Sequence, residues 1–364
     1  MTTAIEFRNV CQSYRRKEVL NGLDLKIEAG SFSVILGAPG CGKSVVLRLL
    51  AGLEKPKSGE VYLRGVDAAK LSPGERNIGY TPQSFALYPN YKVYDNIAYP
   101  LTLAGETKAE IDRVVRQTAD MLHITKLLNK LPNQLSGGEK QRVAIARGIA
   151  KKTDIFVFDD PLTGLDFKLR EQLFDDLKNM QDTLKATFIY TTSDSLEALM
   201  LAKDINILDG CRCVEAGPLE TVYAHPANAH SMELLGFPKA NMLPGSMIKV
   251  DGQDVCETLI GAFPVRLEEA PCKEVLVGIR PQHLQLEAKA APGWITSPAR
   301  IVLKEDLGGE LVVHLQVGEQ MLLSVIRQDE VRGLSEESTT IGIQPADVLV
   351  FEPGSGRRMG QGAQ

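Results

Sequence analysis

The octapeptide GAPGCGKS occupies residues 37–44 and decides how the first part of this chain folds. It lies between GSFSVILG, a short β-rich run that ends in glycine, and KSVVLRLLAGL, whose apolar residues recur at helical spacing. A strand, a glycine-rich turn and a helix in this order predict a parallel α/β sheet.

The same octapeptide has the pattern G-x-x-x-x-G-K-[ST], which is typical of a phosphate-binding loop when a strand precedes it and a helix follows. Backbone N–H groups must converge on phosphate oxygens, and side chains at the glycines would block that approach. The competing interpretation is a glycine turn with an exposed lysine. We expect Lys43 to neutralise the β- and γ-phosphates of a nucleoside triphosphate and Ser44 to ligate Mg²⁺. The residues predicted to bind the nucleotide here are Gly37, Ala38, Pro39, Gly40, Cys41, Gly42, Lys43, Ser44 and Val45.

Two adjacent aspartates follow a buried-strand pattern in FVFDDPLTGLD, residues 156–166. Taken alone, this text also fits a strand that runs into a solvated turn. Beside a phosphate-binding loop, Asp159 fits the carboxylate on the Mg²⁺ side of such a site.

The chain changes character near residue 236. Before it, strand-like and helical segments alternate, and residues 107–128 show apolar residues three and four apart. After GFPKANMLPGS, which we interpret as a linker, short β-patterned runs such as EVLVGI and QMLLSVIR are separated by turn residues. We therefore predict an α/β domain over 1–235, with a helical subdomain at about 87–150, and a small all-β, OB-like domain over 236–364 with a disordered tail at about 354–364.

Composition narrows the classes of function. The 364 residues are 44% hydrophobic and carry a formal net charge of -5, which gives no support for a nucleic-acid partner. Six scattered cysteines are typical of reduced thiols in a cytosolic protein. The start, MTTAIEFRNV, does not resemble a signal peptide, and no apolar run approaches the length of a membrane span.

The segment QLSGGEKQR, residues 134–142, lies between the phosphate-binding loop and the acidic strand. Ser136 and Glu139 alone would fit a helix capping box, but that does not explain the double glycine or the position. The run Leu135, Ser136, Gly137, Gly138 and Glu139 closely resembles the signature of ATP-binding cassette (ABC) proteins. The resemblance is specific over about residues 4–235. It is weaker in the β domain, where VGIRPQHL and EDLGGE are similar to the regulatory domain of carbohydrate-type importers.

The resemblance implies roles for further residues. Tyr14 stands where these cassettes carry an aromatic that stacks on adenine, although an edge-strand tyrosine is also possible. Gln83 matches the glutamine that joins the Mg²⁺ site to the helical subdomain, so Ser44, Gln83 and Asp159 form the implied metal set. PLTGLD resembles the D-loop, with Asp166 at its end.

The resemblance also implies an assembly. Two cassettes form a head-to-tail dimer with each ATP between one phosphate-binding loop and the other chain's signature, and closure on ATP drives two transmembrane permease subunits. We therefore expect an importer ATPase on the cytoplasmic face of the inner membrane. It would be supplied by a solute-binding protein and would power uptake of a carbohydrate, polyol or glycerol-type solute.

Two positions depart from the family pattern, and both belong to the implied catalytic set of Asp160, Gln83 and Ser193. Asp160 stands where a glutamate orients the attacking water, and Ser193 stands where a histidine contacts the γ-phosphate. A misplacement of about 1 Å costs around 100-fold in rate, so we expect weak hydrolysis at this chain's own loop.

The signature is complete, whereas two residues of the implied catalytic set depart from the family pattern. This combination favours pairing with a second, different cassette. A homodimer with slow hydrolysis is the main alternative. An ATP-gated regulatory subunit and a non-transport ABC ATPase acting on DNA or ribosomes are the others.

Overall fold

The computed structural model describes residues 2–15, 17–268, 272–287, 293–328 and 337–363. Within it the chain divides into two compact units, Met1–Leu219 and Glu220–Gln364.

The first unit combines two sheets with helices. Its strands are β1 (Thr3–Tyr14), β2 (Lys17–Glu28), β3 (Phe32–Gly37), β4 (Ser58–Leu63), β5 (Val66–Asp67), β6 (Gly79–Thr81), β7 (Ile155–Asp159), β8 (Thr187–Thr192), β9 (Asp204–Asp209) and β10 (Arg212–Pro218). Its helices are α1 (Lys43–Ala51), α2 (Val93–Leu103), α3 (Lys108–Met121), α4 (Gly137–Ile149), α5 (Phe167–Leu184) and α6 (Ser195–Leu201).

The larger sheet has the order β10-β9-β3-β8-β7-β6. Strands β9, β3, β8, β7 and β6 run parallel, and β10 is antiparallel to β9. Every residue of β3, β7 and β8 is buried, as expected for apolar strands covered on both faces. Because parallel strands end at the same edge, Gly37, Asp159 and Thr192 are brought to one side of the sheet. The second sheet of this unit, β2-β1-β4-β5, is antiparallel.

Helices α2, α3 and α4 occupy the range assigned from sequence to a helical subdomain. Thr107 caps α3 by accepting a hydrogen bond from the backbone N–H of Glu110. The helical pattern predicted to continue to residue 128 stops at Met121, because His123 adopts a left-handed backbone with φ 57°. No helix in the described part of the chain is long and apolar enough to cross a membrane.

The second unit is built mainly from strands. Helices α7 (Leu219–Ala224) and α8 (Ala229–Leu234) precede β11 (Asn241–Val250), β12 (Gln253–Thr258), β13 (Gly261–Leu267), β14 (Glu274–Ile279), β15 (Ile295–Asp306), β16 (Glu310–Val317), β17 (Gln320–Arg327), β18 (Ser338–Ile343), β19 (Val348–Phe351) and β20 (Arg358–Gly362). Six strands close a barrel in the order β11-β12-β13-β20-β19-β14, and β17-β16-β15-β18 form a separate sheet. An α/β cassette followed by an all-β domain confirms the predicted fold class.

The division between the units lies earlier than the predicted boundary at 235/236. Helix α8 belongs with the second unit because Met232 is buried against Phe351 and the backbone N–H of Ala229 donates to the carbonyl of Gly356 at 2.7 Å. The predicted linker ends sooner than expected, since β11 begins at Asn241 and Leu243 is fully buried in the barrel.

The prediction of a disordered tail is wrong for residues 358–362, which form β20. This strand pairs with both β13 and β19, and Met359 is buried. A Cβ at Gly360 would lie 2.3 Å from the carbonyl oxygen of Arg266. Glycine at this position therefore permits close strand packing, and this part of the tail is ordered.

Candidate nucleotide site

The turn between β3 and α1 needs glycine at two positions. Gly40 and Gly42 have φ of 82° and 109°, in the left-handed region that side chains rarely adopt. A Cβ at Gly42 would also lie 2.9 Å from the carbonyl oxygen of Val19. The turn therefore presents its backbone without side chains in the way, as a phosphate cradle requires.

The ammonium group of Lys43 is held inside this turn. Its Nζ donates to the carbonyl oxygens of Gly37 at 2.6 Å and Ala38 at 3.1 Å, and the residue is buried. Nearby, burial raises the pKa of the Cys41 thiol, so this cysteine stays protonated near neutral pH. The cradle thus holds one buried positive charge close to its own backbone.

Asp159, the last residue of β7, is surrounded by hydroxyl donors. Ser44 Oγ donates to its Oδ1 at 2.8 Å, Thr191 Oγ1 donates to the same atom at 3.2 Å, and the Tyr80 hydroxyl donates to Oδ2 at 3.2 Å. Burial, together with the charge of Asp159, raises the pKa of Tyr80 well above its usual value, so that hydroxyl keeps its proton. These bonds fix the carboxylate at the edge of the sheet next to the cradle.

Sequence reasoning missed Tyr80 and Thr191. The signal for Thr191 is the pairing of β7 with β8, in which Asp159 and Thr191 are direct partners. That pairing depends on strand order, which a single sequence does not supply.

Asp160 is positioned through its backbone. Its N–H donates to both the carbonyl oxygen and the hydroxyl of Thr191, each at 3.1 Å, and its φ is 45°. Its side chain accepts a hydrogen bond from Gln83 Nε2 at 3.3 Å. The two residues predicted to serve hydrolysis from different segments are therefore in direct contact.

Ser193 lies in a tightly held turn between β8 and α6. On one side, Thr192 Oγ1 accepts from the N–H of Asp194 at 3.0 Å. On the other, Asp194 caps α6 by accepting from Leu196 at 2.8 Å, and its second oxygen accepts from Arg170 at 2.9 Å. The position of residue 193 is thus set by its neighbours and not by its own side chain.

One cavity of about 500 Å³ brings most of the predicted site together. The predicted residues that line it are Tyr14, Pro39, Gly40, Gly42, Lys43, Ser44, Val45, Gln83, Asp159, Asp160 and Ser193. Val19 and Thr163 also line it and were not predicted. The signature Leu135–Glu139 and Asp166 lie outside this cavity, so this chain's signature does not face its own cradle.

The signature forms the N-terminus of α4. Ser136 accepts from the N–H of Glu139 at 3.3 Å, and Glu139 accepts from the N–H of Ser136 at 2.7 Å, which is a complete capping box. The backbone N–H of Ser136 is the main reason that the pKa of Glu139 is lowered. The capping box therefore accounts for the serine and the glutamate of the signature.

The two signature glycines differ in their surroundings. A Cβ at Gly138 would lie 1.9 Å from Cδ2 of Leu169 in α5, whereas a Cβ at Gly137 would meet no atom of the described chain within 4 Å. Packing against the Leu169 side chain therefore favours glycine at 138, whereas packing within the described chain gives no reason for glycine at 137.

Asp166 caps α5 by accepting from the N–H of Leu169 at 3.0 Å. Leu169 consequently joins two predicted segments, because its amide is held by Asp166 and its side chain lies under Gly138.

We expect valine to be costly at Gly138 and tolerated at Gly137. Both positions lie in the first turn of α4, so the difference between Gly138→Val and Gly137→Val isolates packing against Leu169 from helix propensity. Overpacking of this kind costs about 1–3 kcal/mol. Thermal unfolding followed by circular dichroism should give a lower Tm for Gly138→Val, and equal Tm values would contradict the packing described here.

Comparisons with known proteins identify the families that this chain resembles. Residues 20–163 match the ABC transporter family, and residues 277–351 match the TOBE domain family. The chain is 40% identical over 291 residues to the sn-glycerol-3-phosphate import ATP-binding protein UgpC of Ralstonia nicotianae, a match that covers 77% of this chain and 79% of that protein. It is 36% identical over 356 residues to the maltose/maltodextrin import ATP-binding protein MalK of Photorhabdus laumondii, covering 96% and 95% of the two chains.

Solved structures also resemble part of this chain. The ATP-binding cassette MJ0796, solved as a dimer in a post-hydrolysis state with ADP and Pi, aligns with a TM-score of 0.55 at 29% identity. This match covers 59% of the present chain and 98% of MJ0796. These matches confirm the resemblance inferred from the signature and the phosphate-binding loop. The chain belongs to the ATP-binding subunits of ABC transporters and is an ABC-type ATPase.

Proposed function

We propose that this chain powers the uptake of a carbohydrate, polyol or glycerol-type solute through separate permease subunits. The observation that carries the ATPase part is the contact between Ser44 and Asp159 beside the glycine cradle that holds Lys43. The solute class rests on the relatives, whose names are those of glycerol-phosphate and maltose importers.

The donor atoms at the sheet edge fit Mg²⁺. Ser44 Oγ and Asp159 Oδ1 are 2.8 Å apart, and hard oxygen donors of this kind suit that ion. The Gln83 side chain lines the same cavity and would complete the set. Bound there with ATP, Mg²⁺ would neutralise charge that develops on the phosphoryl oxygens.

The remaining parts of the assembly follow from membership of the importer type. The chain would lie on the cytoplasmic face of the inner membrane, bound to two permease subunits and served indirectly by a solute-binding protein.

We further propose that the second cassette of the dimer is a different chain. The pairing rests on Asp160 and Ser193, which depart from the family pattern and should weaken hydrolysis at this chain's own cradle. Gly137 is exposed and a Cβ there would meet no atom of the described chain within 4 Å, which leaves the signature open to a partner's nucleotide in either kind of dimer. A homodimer with slow turnover and an ATP-gated regulatory subunit remain the alternatives.

The test is nucleotide binding and hydrolysis by the purified chain, alone and with candidate cassettes and permeases in vesicles. We expect ATP binding with slow hydrolysis alone, and rapid hydrolysis once a cassette bearing glutamate and histidine is added. Brisk hydrolysis by this chain alone would exclude the asymmetric pairing, and a folded chain that binds no ATP would exclude the whole proposal.

Ser44→Ala should weaken ATP binding about tenfold in Mg²⁺ and leave binding in EDTA nearly unchanged, because the variant lacks one oxygen ligand of the metal ion. Isothermal titration calorimetry in the two buffers measures this difference. Ser193→Ala is the matched control, since it also removes a hydroxyl from the cavity but not from the metal set. An equal loss in both buffers would show that Ser44 does not act through the metal.

A further inference from the structure

The ring of Tyr14 lies at the end of β1, lines the nucleotide cavity and is 41% exposed. The next residue, Arg15, adopts a left-handed backbone with φ 56° as the chain turns toward β2. An aromatic side chain at such a turn has freedom to move unless its far end is held.

The hydroxyl of Tyr14 is held by a pair of charged residues. It donates a hydrogen bond to Glu54 Oε2 and accepts one from Arg48 at 3.4 Å. Arg48 Nε in turn donates to the other oxygen of Glu54 at 2.6 Å. Gln12 donates to Glu54 Oε2 at 3.4 Å and to the carbonyl of Lys55 at 3.1 Å, which ties the end of β1 to the same segment.

The protonation states suit this arrangement. Burial, followed by the bond to Glu54, raises the pKa of Tyr14, so the phenol remains a donor. Burial acts to raise the pKa of Glu54, but the hydrogen bonds from Tyr14 and Arg48 outweigh it and lower that pKa. The bond from Tyr14 therefore ends on an ionised carboxylate, and such charge-assisted bonds are stronger than neutral ones.

Arg48 lies on α1, the helix that begins at Lys43. The element that carries the phosphate-binding lysine therefore also carries the group that fixes the far end of the tyrosine. Both ends of a bound nucleotide would contact residues positioned by one helix.

We propose that Glu54 and Arg48 are positioning residues that hold the Tyr14 ring in place for the nucleotide base. The inference rests on the proposed nucleotide-binding function and adds two residues that act only through the tyrosine. Neither lines the cavity, so their contribution comes from ordering the ring before the nucleotide arrives. Ordering one side chain in advance is worth about a three- to tenfold gain in affinity.

Loss of the Tyr14–Glu54 hydrogen bond should weaken binding only of ligands that carry a nucleotide base. Glu54→Ala and Tyr14→Phe should each weaken Mg·ATP binding about three- to tenfold, and binding of Mg·tripolyphosphate, which has no base, should stay as in the wild type. Because both changes remove the same bond, the double variant should bind ATP no more weakly than the weaker single variant.

Glu60→Ala is the matched control. Glu60 accepts a hydrogen bond from the Tyr62 hydroxyl at 2.9 Å on β4, the strand next to β1 in the same sheet, so it reproduces a tyrosine–glutamate pair whose residues do not line the cavity. Its removal should leave both affinities unchanged.

The experiment is calorimetric titration of the full-length variants with each ligand, after circular dichroism confirms that each is folded. A parallel loss of ATP and tripolyphosphate binding in Glu54→Ala would overturn the inference, as would unchanged ATP binding. Failure of the folded wild-type chain to bind ATP would instead overturn the proposed function itself.

Discussion

Replacing Asp160 by glutamate and Ser193 by histidine together should raise ATP hydrolysis at this chain's own cradle about 100-fold or more. Both side chains already line the nucleotide cavity, so the longer residues start from suitable positions. Glutamate would extend its carboxylate by roughly one C–C bond, about 1.5 Å. Histidine would supply a longer side chain that can carry positive charge, where serine offers only a short hydroxyl.

The backbone of the site favours this outcome. The N–H of residue 160 donates to both the carbonyl oxygen and the hydroxyl of Thr191, and the turn at residue 193 is held by hydrogen bonds to Thr192 and Asp194. Neither set of bonds involves the side chains of Asp160 or Ser193. The two substitutions should therefore leave the backbone of the site in place.

A steady-state phosphate-release assay on the purified double variant measures the gain. Each single variant should recover part of it, and Asp160→Asn with Ser193→Ala, which removes both groups, is the control for the residual rate. Absence of any gain in a variant that still binds Mg·ATP would show that these two residues do not limit hydrolysis.

Gly137→Asp should lower ATP hydrolysis by the assembled pair of cassettes roughly 100-fold, with the fold of this chain unchanged. Gly137 is exposed, and a side chain there would extend into space free of atoms of the described chain. If that space receives the partner's nucleotide, a carboxylate would be set against its γ-phosphate.

Stability should not fall, because an acidic residue in the first turn of α4 interacts favourably with the helix dipole. The assay compares wild type, Gly137→Asp and the uncharged Gly137→Asn at equal assembly, with Tm measured for each. We expect the asparagine variant to lose less activity, since it adds similar bulk without charge. Full activity in Gly137→Asp would show that this glycine does not approach a nucleotide.

The sequence predicted best those site residues whose type and spacing are required by the chemistry of nucleotide binding. The loop Gly37–Ser44 and Asp159 were predicted because phosphate and Mg²⁺ demand particular residues at particular spacing; Pro39, Gly40, Gly42–Ser44 and Asp159 line one cavity, whereas Gly37, Ala38 and Cys41 do not. Tyr80 and Thr191 were missed because their contribution depends on which strands lie side by side.

In the second unit, too, the sequence predicted local elements better than the pairing between distant strands. Strands β14 and β17 begin and end where their alternating pattern predicted. Strand β20 was not predicted because the sequence alone does not distinguish a disordered terminal segment from one in which glycine lets two backbones pass closely.

Leu169 contacts both the signature at the N-terminus of α4 and the segment that ends at Asp166. Its amide is fastened to Asp166 and its methyl groups fill the space beneath Gly138, so a shift of either segment displaces the other. A displacement of the segment that ends at Asp166 would therefore be transmitted directly to the N-terminal turn of α4, because Leu169 is hydrogen-bonded to the first and packs against the second.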